Sequence, residues 1–202
     1  MAVVAAYAGV ARSCLLAYKE RGRRDLARPL AVALAVAICE FGDGPMWLVP
    51  IPSAGAVARR RGGQHVERLA RHAARILRRR GVDVRVVPVL ALTCDQLDST
   101  ELTAAERGIA AAGKFRARPI PSRSTPVMIV DDVITTGNTV AAAAAALREA
   151  GLRVAGAAAI AATQRKNPSR TQSNTALRSV VVRSDHPRDS PRLDDGPRVG
   201  QM

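Results

Sequence analysis

The sequence predicts an α/β fold, a parallel sheet flanked by helices on both faces. Three observations predict it. Short apolar runs of strand length alternate with helical stretches from Trp47 to Ala161. One run, Val127–Val130, ends on two adjacent carboxylates, Asp131 and Asp132, and a turn rich in hydroxyls and Gly leads from there into a run of Ala. Aromatic residues are only 2% of the 202 residues against 48% hydrophobic, so the core must be packed from Ala, Val, Leu and Ile. The length suits one domain of ordinary size.

In chain order, Ala11–Glu20 reads as an amphipathic helix whose apolar positions include Leu15, Leu16 and Tyr18. Gly22 breaks it, and Asp25–Phe41 forms a second, buried helix. Trp47–Ile51, closed by Pro50 and Pro52, is expected to be the first strand. A loop containing Gly55 and the basic run Arg59–Gly63 leads to a long basic helix over Gln64–Arg80, stopped by Gly81. Val82–Leu90 reads as the second strand, Thr93–Thr103 as a polar loop and Ala104–Ala112 as a short helix. Val127–Val130 is the next strand, Thr139–Ala150 the next helix with Gly151 as its cap, and Val154–Ala161 the last strand. Beyond Thr163 the chain turns to Gln, Asn, Ser, Pro and Arg. Only Ser179–Val182 could still be strand, and Asp185–Met202, with Pro187, Pro191 and Pro197, reads as disordered. The expected organisation is a helical segment over 1–45, an α/β domain over 46–162 and a polar tail over 163–202.

The net charge of +14 has three readings. It could form a basic face for nucleic acid, attract a polyanionic metabolite, or simply fill solvated helix faces with Arg. Charge alone does not choose between them. Cys14, Cys39 and Cys94 lie far apart without C-x-x-C spacing, which argues against a zinc site or a disulfide scaffold and for buried free thiols. The first ten residues lack a basic n-region, and the apolar stretch Leu26–Phe41 is broken by Arg28 and Pro29. Neither a signal peptide nor a bilayer span is expected, and the cytoplasm is the expected compartment.

The segment Val127–Thr139, V-M-I-V-D-D-V-I-T-T-G-N-T, carries the most chemistry. In open α/β sheets ligands bind outside the carboxyl ends of strands, and phosphates settle at helix N-termini. Carboxylates there accept from vicinal hydroxyls of a polyol. Gly137 lets the backbone approach an anion, and the helix N-terminus favours negative charge. An ordinary strand-to-helix turn, with one Asp as polar bound and one Thr as cap, has no need of this order of two acids, three threonines and a Gly.

The segment resembles the phosphoribosyl-pyrophosphate (PRPP) loop of type I phosphoribosyltransferases. The resemblance implies that Asp131 and Asp132 are the catalytic acids that face the ribose 2′- and 3′-hydroxyls. It implies that Thr135, Thr136, Gly137, Asn138 and Thr139 wrap the 5′-phosphate. A second anion site is then expected after an earlier strand. Pro50-Ile51-Pro52-Ser53-Ala54-Gly55 has that position, with Arg59, Arg60 and Arg61 as counter-charge. Ser53, Ala54, Gly55, Arg61 and Arg107 are the pyrophosphate-binding candidates.

Within that family the chain is similar to the ComF-like proteins. It carries Val49-Pro50-Ile51-Pro52, then Arg61-Gly62-Gly63-Gln64 with Leu69-Ala70, as their V-P-x-P strand and R-G-x-x-Q helix start. Gln96, Glu106-Arg107 and Gly113-Lys114-Phe115 stand where those proteins have a flexible hood that closes over PRPP. Tyr18-Lys19-Glu20-Arg21-Gly22-Arg23 matches their Y-K-x-x-G-R. Together these span roughly Tyr7–Ala162. Three departures stand out: no cysteine-rich zinc module, Leu90, Ala91 and Leu92 where basic residues are usual, and Ala110 where an Asn is usual. A lost cation there would weaken stabilisation of the leaving pyrophosphate, which bears on turnover more than on binding.

The resemblance implies a phosphoribosyltransferase that uses Mg²⁺, held by PRPP oxygens with no direct protein ligand, and a nitrogenous acceptor. It also implies a homodimer as the common assembly, with no membrane partner. The rival expectation is a non-catalytic PRPP- or nucleotide-sensing protein linked to DNA uptake, with nucleic acid as a partner. The shortage of aromatics argues against single-strand recognition by stacking.

Overall fold

The computed structural model describes residues 1–54, 58, 63–93, 114–118 and 124–163. Its main sheet has five parallel strands: β1 (Ala2–Ala6), β2 (Met46–Pro50), β3 (Val84–Val86), β6 (Val127–Ile134) and β7 (Val154–Ala162). Their spatial order is β1-β7-β6-β2-β3. Two short strands, β4 (Leu90–Leu92) and β5 (Phe115–Ala117), pair antiparallel as a separate ribbon. The helices are α1 (Gly9–Glu20), α2 (Ala27–Cys39), α3 (His65–Arg78) and α4 (Asn138–Glu149), with a 3-10 turn at Arg24–Leu26. The parallel sheet with helices on both faces is the expected fold class.

Each face has its own core. Met128, Val130, Leu48 and Val84 point to one side, against Leu15 of α1, Leu34 and Ile38 of α2, and Leu69 and Leu77 of α3. Val127, Ile129 and Val49 point to the other, against Val140, Ala143 and Leu147 of α4 and Phe115 of the ribbon. Consecutive residues of β6 thus serve opposite layers, as the two-residue period of a strand requires. On α3, His65, Leu69, Ala73 and Leu77 recur every four residues and are all buried, with Arg71, Arg75 and Arg78 away from that seam. Arg78 in the last turn donates to the Val84 carbonyl at 3.2 Å, tying the helix end to β3.

Several elements differ from the sequence expectation, each for a local reason. Ala2–Ala6 is a strand, where a helical segment was expected; it pairs with β7 from Ala2–Ala158 to Ala6–Ala162. A five-residue apolar run has no periodicity to betray its state, so long-range pairing decides it. The expected first strand is therefore the second. Val82–Leu90 is not one strand but parts of two, because Pro88 lacks an N–H and falls between β3 and β4. The second helix starts at Ala27, which puts Pro29 in its first turn, where no N–H partner is needed. Cys39 is exposed and Cys14 half-buried, so the expectation of buried thiols fails for these two. The proposed helix Ala104–Ala112, the strand Ser179–Val182, Cys94 and the tail beyond Thr163 lie outside the described residues. Among the described residues no helix is long and apolar enough to cross a membrane.

Topology locates a cleft. From β2 the chain passes through α3 outward to β3; from β6 it passes through α4 in the other direction to β7. The direction of winding reverses between β2 and β6, and at such a point the two following loops part at the carboxyl ends of the strands. β2 stops pairing at Pro50–Val130, whereas β6 continues along β7 to Ile134–Ala162. Asp131 and Asp132 therefore lie beyond the end of β2, beside the loop that leaves it.

Candidate functional site

β6 was expected to end before its acids; instead Asp131 and Asp132 are part of it. Alternation separates them. Asp132 turns toward the α1–α3 layer and is 3% exposed. Asp131 turns the other way and is half-buried. Its Oδ1 accepts the Asp132 backbone N–H at 2.8 Å.

Asp132 is held by cations and donors from two helices. Lys19 Nζ, from the end of α1, lies 2.6 Å from its Oδ2, and His65 Nε2, from the start of α3, lies 2.7 Å from the same oxygen. Burial alone would push this carboxyl up, but the His65 hydrogen bond and the Lys19 charge prevail and hold it below the ordinary carboxylate range. Among the described residues, Asp131 has no cation paired directly with its own carboxylate. Burial, then repulsion from Asp132, raises it to about 7. The two neighbours thus differ in kind: one is a fixed anion, the other a carboxyl poised to gain or lose a proton near neutrality.

The loop after β2 is fastened to the same helix start. Gln64 Oε1 accepts the Ser53 N–H at 2.7 Å, and Gln64 Nε2 donates to the Ser53 carbonyl at 3.0 Å. Ser53 Oγ lies 3.4 Å from His65 Nδ1. Because Gln64 uses both backbone groups of Ser53, the hydroxyl is the part of Ser53 left to meet a ligand. Ala54 is half-buried beside it, and its carbonyl accepts the Ala58 N–H at 2.8 Å. Gly55 and Arg61 of this loop, and Arg107 of the hood, lie outside the described residues, as do Gln96 and Glu106. The β4–β5 ribbon flanks, in sequence, residues 94–113, where a hood is expected and which lie outside the described residues.

The third part is the turn after β6. Thr135, Thr136 and Asn138 are exposed, while Gly137 and Thr139 are half-buried. Gly137 is the N-cap of α4 with φ 84°, in the left-handed region that a residue with a Cβ rarely adopts. No side chain caps α4 and its first turn carries no acid. Thr136 Oγ1 lies 3.4 Å from the Asn138 N–H, a weak contact at best. The amides of the first turn therefore face outward with their partial positive charge uncompensated, which suits a phosphate. Two bonds brace the turn against β7: Thr163 N–H to the Ile134 carbonyl at 3.0 Å, and Thr163 Oγ1 to the Thr135 carbonyl at 3.2 Å.

The structure thus brings Ser53, Ala54, Asp131, Asp132 and Thr135–Thr139 to one end of the sheet. Sequence reasoning gave no role to Lys19, Gln64 or His65. A signal for His65 existed: it is in phase with Leu69, Ala73 and Leu77, so it had to be buried, and a buried imidazole needs partners. Lys19, one turn after Leu15 on α1, falls on the same inward stripe, but nothing in the sequence says which acid it meets.

No curated protein matches the chain. A family model described as the phosphoribosyl transferase domain matches residues 68–186, which include the acids of β6 and the turn into α4 but begin after Ser53, Gln64 and His65. That match takes in more than half of the sequence and the segment Asp131–Thr139, and the chain belongs to the phosphoribosyl transferase domain family.

Proposed function

We infer that the protein is a phosphoribosyltransferase of the ComF-like kind, which binds PRPP and displaces its pyrophosphate with a nitrogenous acceptor. One observation carries the reading. At the point where the winding reverses, a half-buried carboxyl, Asp131, stands six residues before the N-terminus of α4 at Gly137, which no side chain among the described residues caps. A ribose 5-phosphate unit presents the complementary groups, vicinal hydroxyls at one end and a dianion at the other.

In this reading Asp131 accepts the ribose hydroxyls, and Asp132, fixed by Lys19 and His65, keeps a negative charge beneath the sugar. The amides of Gly137, Asn138 and Thr139, with the hydroxyls of Thr135, Thr136 and Thr139, hold the 5′-phosphate. Ser53 and Ala54, with Gly55, Arg61 and Arg107, take the pyrophosphate. The acceptor nitrogen attacks C1 as the C1–O bond breaks; the bond pair leaves with pyrophosphate, and the nitrogen gives up its proton. Charge on the sugar rises through an oxocarbenium-like state, which the nearby carboxylates stabilise. Mg²⁺ bound to PRPP would offset the charge that gathers on the leaving pyrophosphate. The engagement of Asp132 Oδ2 by Lys19 and His65 is compatible with an ion whose ligands would come mostly from substrate oxygens and water. A homodimer and a cytoplasmic location belong to the same proposal.

Calorimetric titration with PRPP, with and without Mg²⁺, tests it. Micromolar, metal-dependent binding is the expected result, and no binding at millimolar PRPP would refute it. A second reading, a PRPP- or nucleotide-sensing protein linked to DNA uptake, has its own support. Leu90–Leu92 of β4 contributes no cation of its own to the ribbon, and Arg71, Arg75, Arg78 and Arg85 line a basic pocket between α3 and β3. PRPP binding without pyrophosphate release, together with salt-dependent DNA binding, would favour that reading.

A further inference from the structure

We propose that His65 is a positioning residue that couples Ser53 of the pyrophosphate loop to the ribose-facing carboxyl of Asp131, through a chain of contacts with one long link, Ser53 Oγ to His65 Nδ1. The inference rests on the phosphoribosyl reading of the site. The chain has four members on three elements. Ser53 Oγ lies 3.4 Å from His65 Nδ1, and His65 Nε2 lies 2.7 Å from Asp132 Oδ2. The backbone N–H of Asp132 then reaches Asp131 Oδ1 at 2.8 Å.

Nothing in this chain is solvated filler. His65 is 4% exposed and Asp132 3% exposed, and each ring nitrogen of His65 has one polar neighbour. Next to an anionic carboxylate the Nε2 position carries the proton, so in the neutral ring Nδ1 is an acceptor and the Ser53 hydroxyl donates to it. The tautomer, and with it the direction of the Ser53 O–H, is therefore set by Asp132. Gln64, the preceding residue, pins the backbone of Ser53 on both sides. Lys19 holds the same Asp132 oxygen, Oδ2, so the ring cannot move without disturbing that ion pair. The 3.4 Å contact is the slack link; an anion drawn onto the Ser53 loop tightens or redirects that hydroxyl, and His65 passes the change to the acids. Either half-ligand then orders groups the other needs, and the second to bind has less to order. This gives positive coupling between two ligands that would otherwise repel.

The experiment is a calorimetric titration of ribose 5-phosphate, with excess Mg²⁺, in the absence and presence of saturating pyrophosphate. In the wild type, pyrophosphate is expected to tighten ribose 5-phosphate about fivefold or more, the lower end of ordinary site–site coupling. In His65→Phe, which keeps a ring but no polar atoms, the factor is expected to fall below about twofold; His65→Gln, with one donor and one acceptor, should restore part of it. Ser53→Ala opens the chain at its half-buried end without removing either member of the His65–Asp132 pair and, with pyrophosphate raised until it is again saturating, should also abolish the coupling. It decides the matter if the Phe variant does not fold. Coupling that survives in both Ser53→Ala and His65→Phe, or coupling absent from the wild type, overturns the proposal. A wild type that binds neither PRPP nor ribose 5-phosphate fails one step earlier, by refuting the reading of the site itself. A merely structural His65 would lower melting temperature in its variants while leaving the coupling factor intact.

Discussion

Replacing Lys19 by Met removes the ammonium but keeps most of the apolar stem, and so isolates the ion pair with Asp132. Asp132 has a side-chain exposure of 4% and cannot reach water, whereas the Lys19 side chain is 18% exposed. Removing one partner of a fully buried pair costs about 3–5 kcal/mol. Two features reduce that figure here: His65 still bonds Asp132, and the partial exposure of Lys19 screens the lost attraction. We expect Lys19→Met to cost about 2 kcal/mol, or a fall of about 4–8 °C in melting temperature for a chain of this size. The reverse substitution, Asp132→Asn, should cost less, because the orphaned Lys19 can turn its head to water while an orphaned Asp132 cannot. Urea denaturation of both single variants and the double variant measures all three terms. Low pH adds a check on sign. The Asp132 carboxyl is held below its ordinary range in the fold, so its stabilisation is present above that range and lost as pH falls through it. The wild type should therefore lose its advantage over Lys19→Met in acid. A cost below about 0.5 kcal/mol for Lys19→Met, or Asp132→Asn the more damaging of the two, would refute the argument that this pair is buried and essential to the fold.

Further outcomes follow from the geometry. Asp131→Asn should weaken PRPP at least about tenfold, about 1.4 kcal/mol, with no fall in melting temperature, since the wild-type carboxyl is desolvated and repelled by Asp132. With that carboxyl at about 7, PRPP binding at neutral pH should release about half a proton more in the wild type than in Asp131→Asn, as read by calorimetry in buffers of different ionisation enthalpy. The same raised value means that Asp131 favours the fold at low pH and that this contribution is lost as pH rises toward 7. Gly137→Ala forces a Cβ into a backbone with φ 84° although no atom crowds it, so it should cost about 1–2 kcal/mol and weaken phosphate binding through the displaced first turn of α4. Gly156→Ala would drive its Cβ into the Phe41 ring, a steric cost of about 1–3 kcal/mol in thermal unfolding that Phe41→Leu should relieve.

How much of this was legible beforehand varied with the range of the interaction. The strand, acids, turn and helix of Val127–Glu149 are contiguous, and each local preference points the same way, so sequence alone located them. The Gly stop after α4 was legible for the same reason: Gly151 takes φ 77°, and Leu152 N–H bonds back to the Leu147 carbonyl. β1 was not legible, because Ala2–Ala6 becomes a strand only by pairing with Ala158–Ala162, over 150 residues away. The unequal roles of Asp131 and Asp132 were hidden too. The sequence presents them as a pair; strand alternation sends them to opposite layers, and only the packed α1 and α3 supply Lys19 and His65 to one and not the other.

That inequality explains why α1 and β1 matter to a site built at the other strands' ends. β1 closes the edge of the sheet on β7, α1 follows it directly, and the end of α1 carries Lys19 to Asp132. Without this pairing to His65 and Lys19, two carboxyls side by side in a largely buried strand would both be driven toward the protonated form by burial and mutual repulsion. With it, one acid stays ionised at all ordinary pH values and its charge pushes only the neighbour upward. Asp131 is raised to about 7 first by its burial and then by the charge of Asp132, which the His65 hydrogen bond and Lys19 of α1 together keep ionised. A helix with no part in holding the phosphate thus contributes to the poise of a group over one hundred residues later.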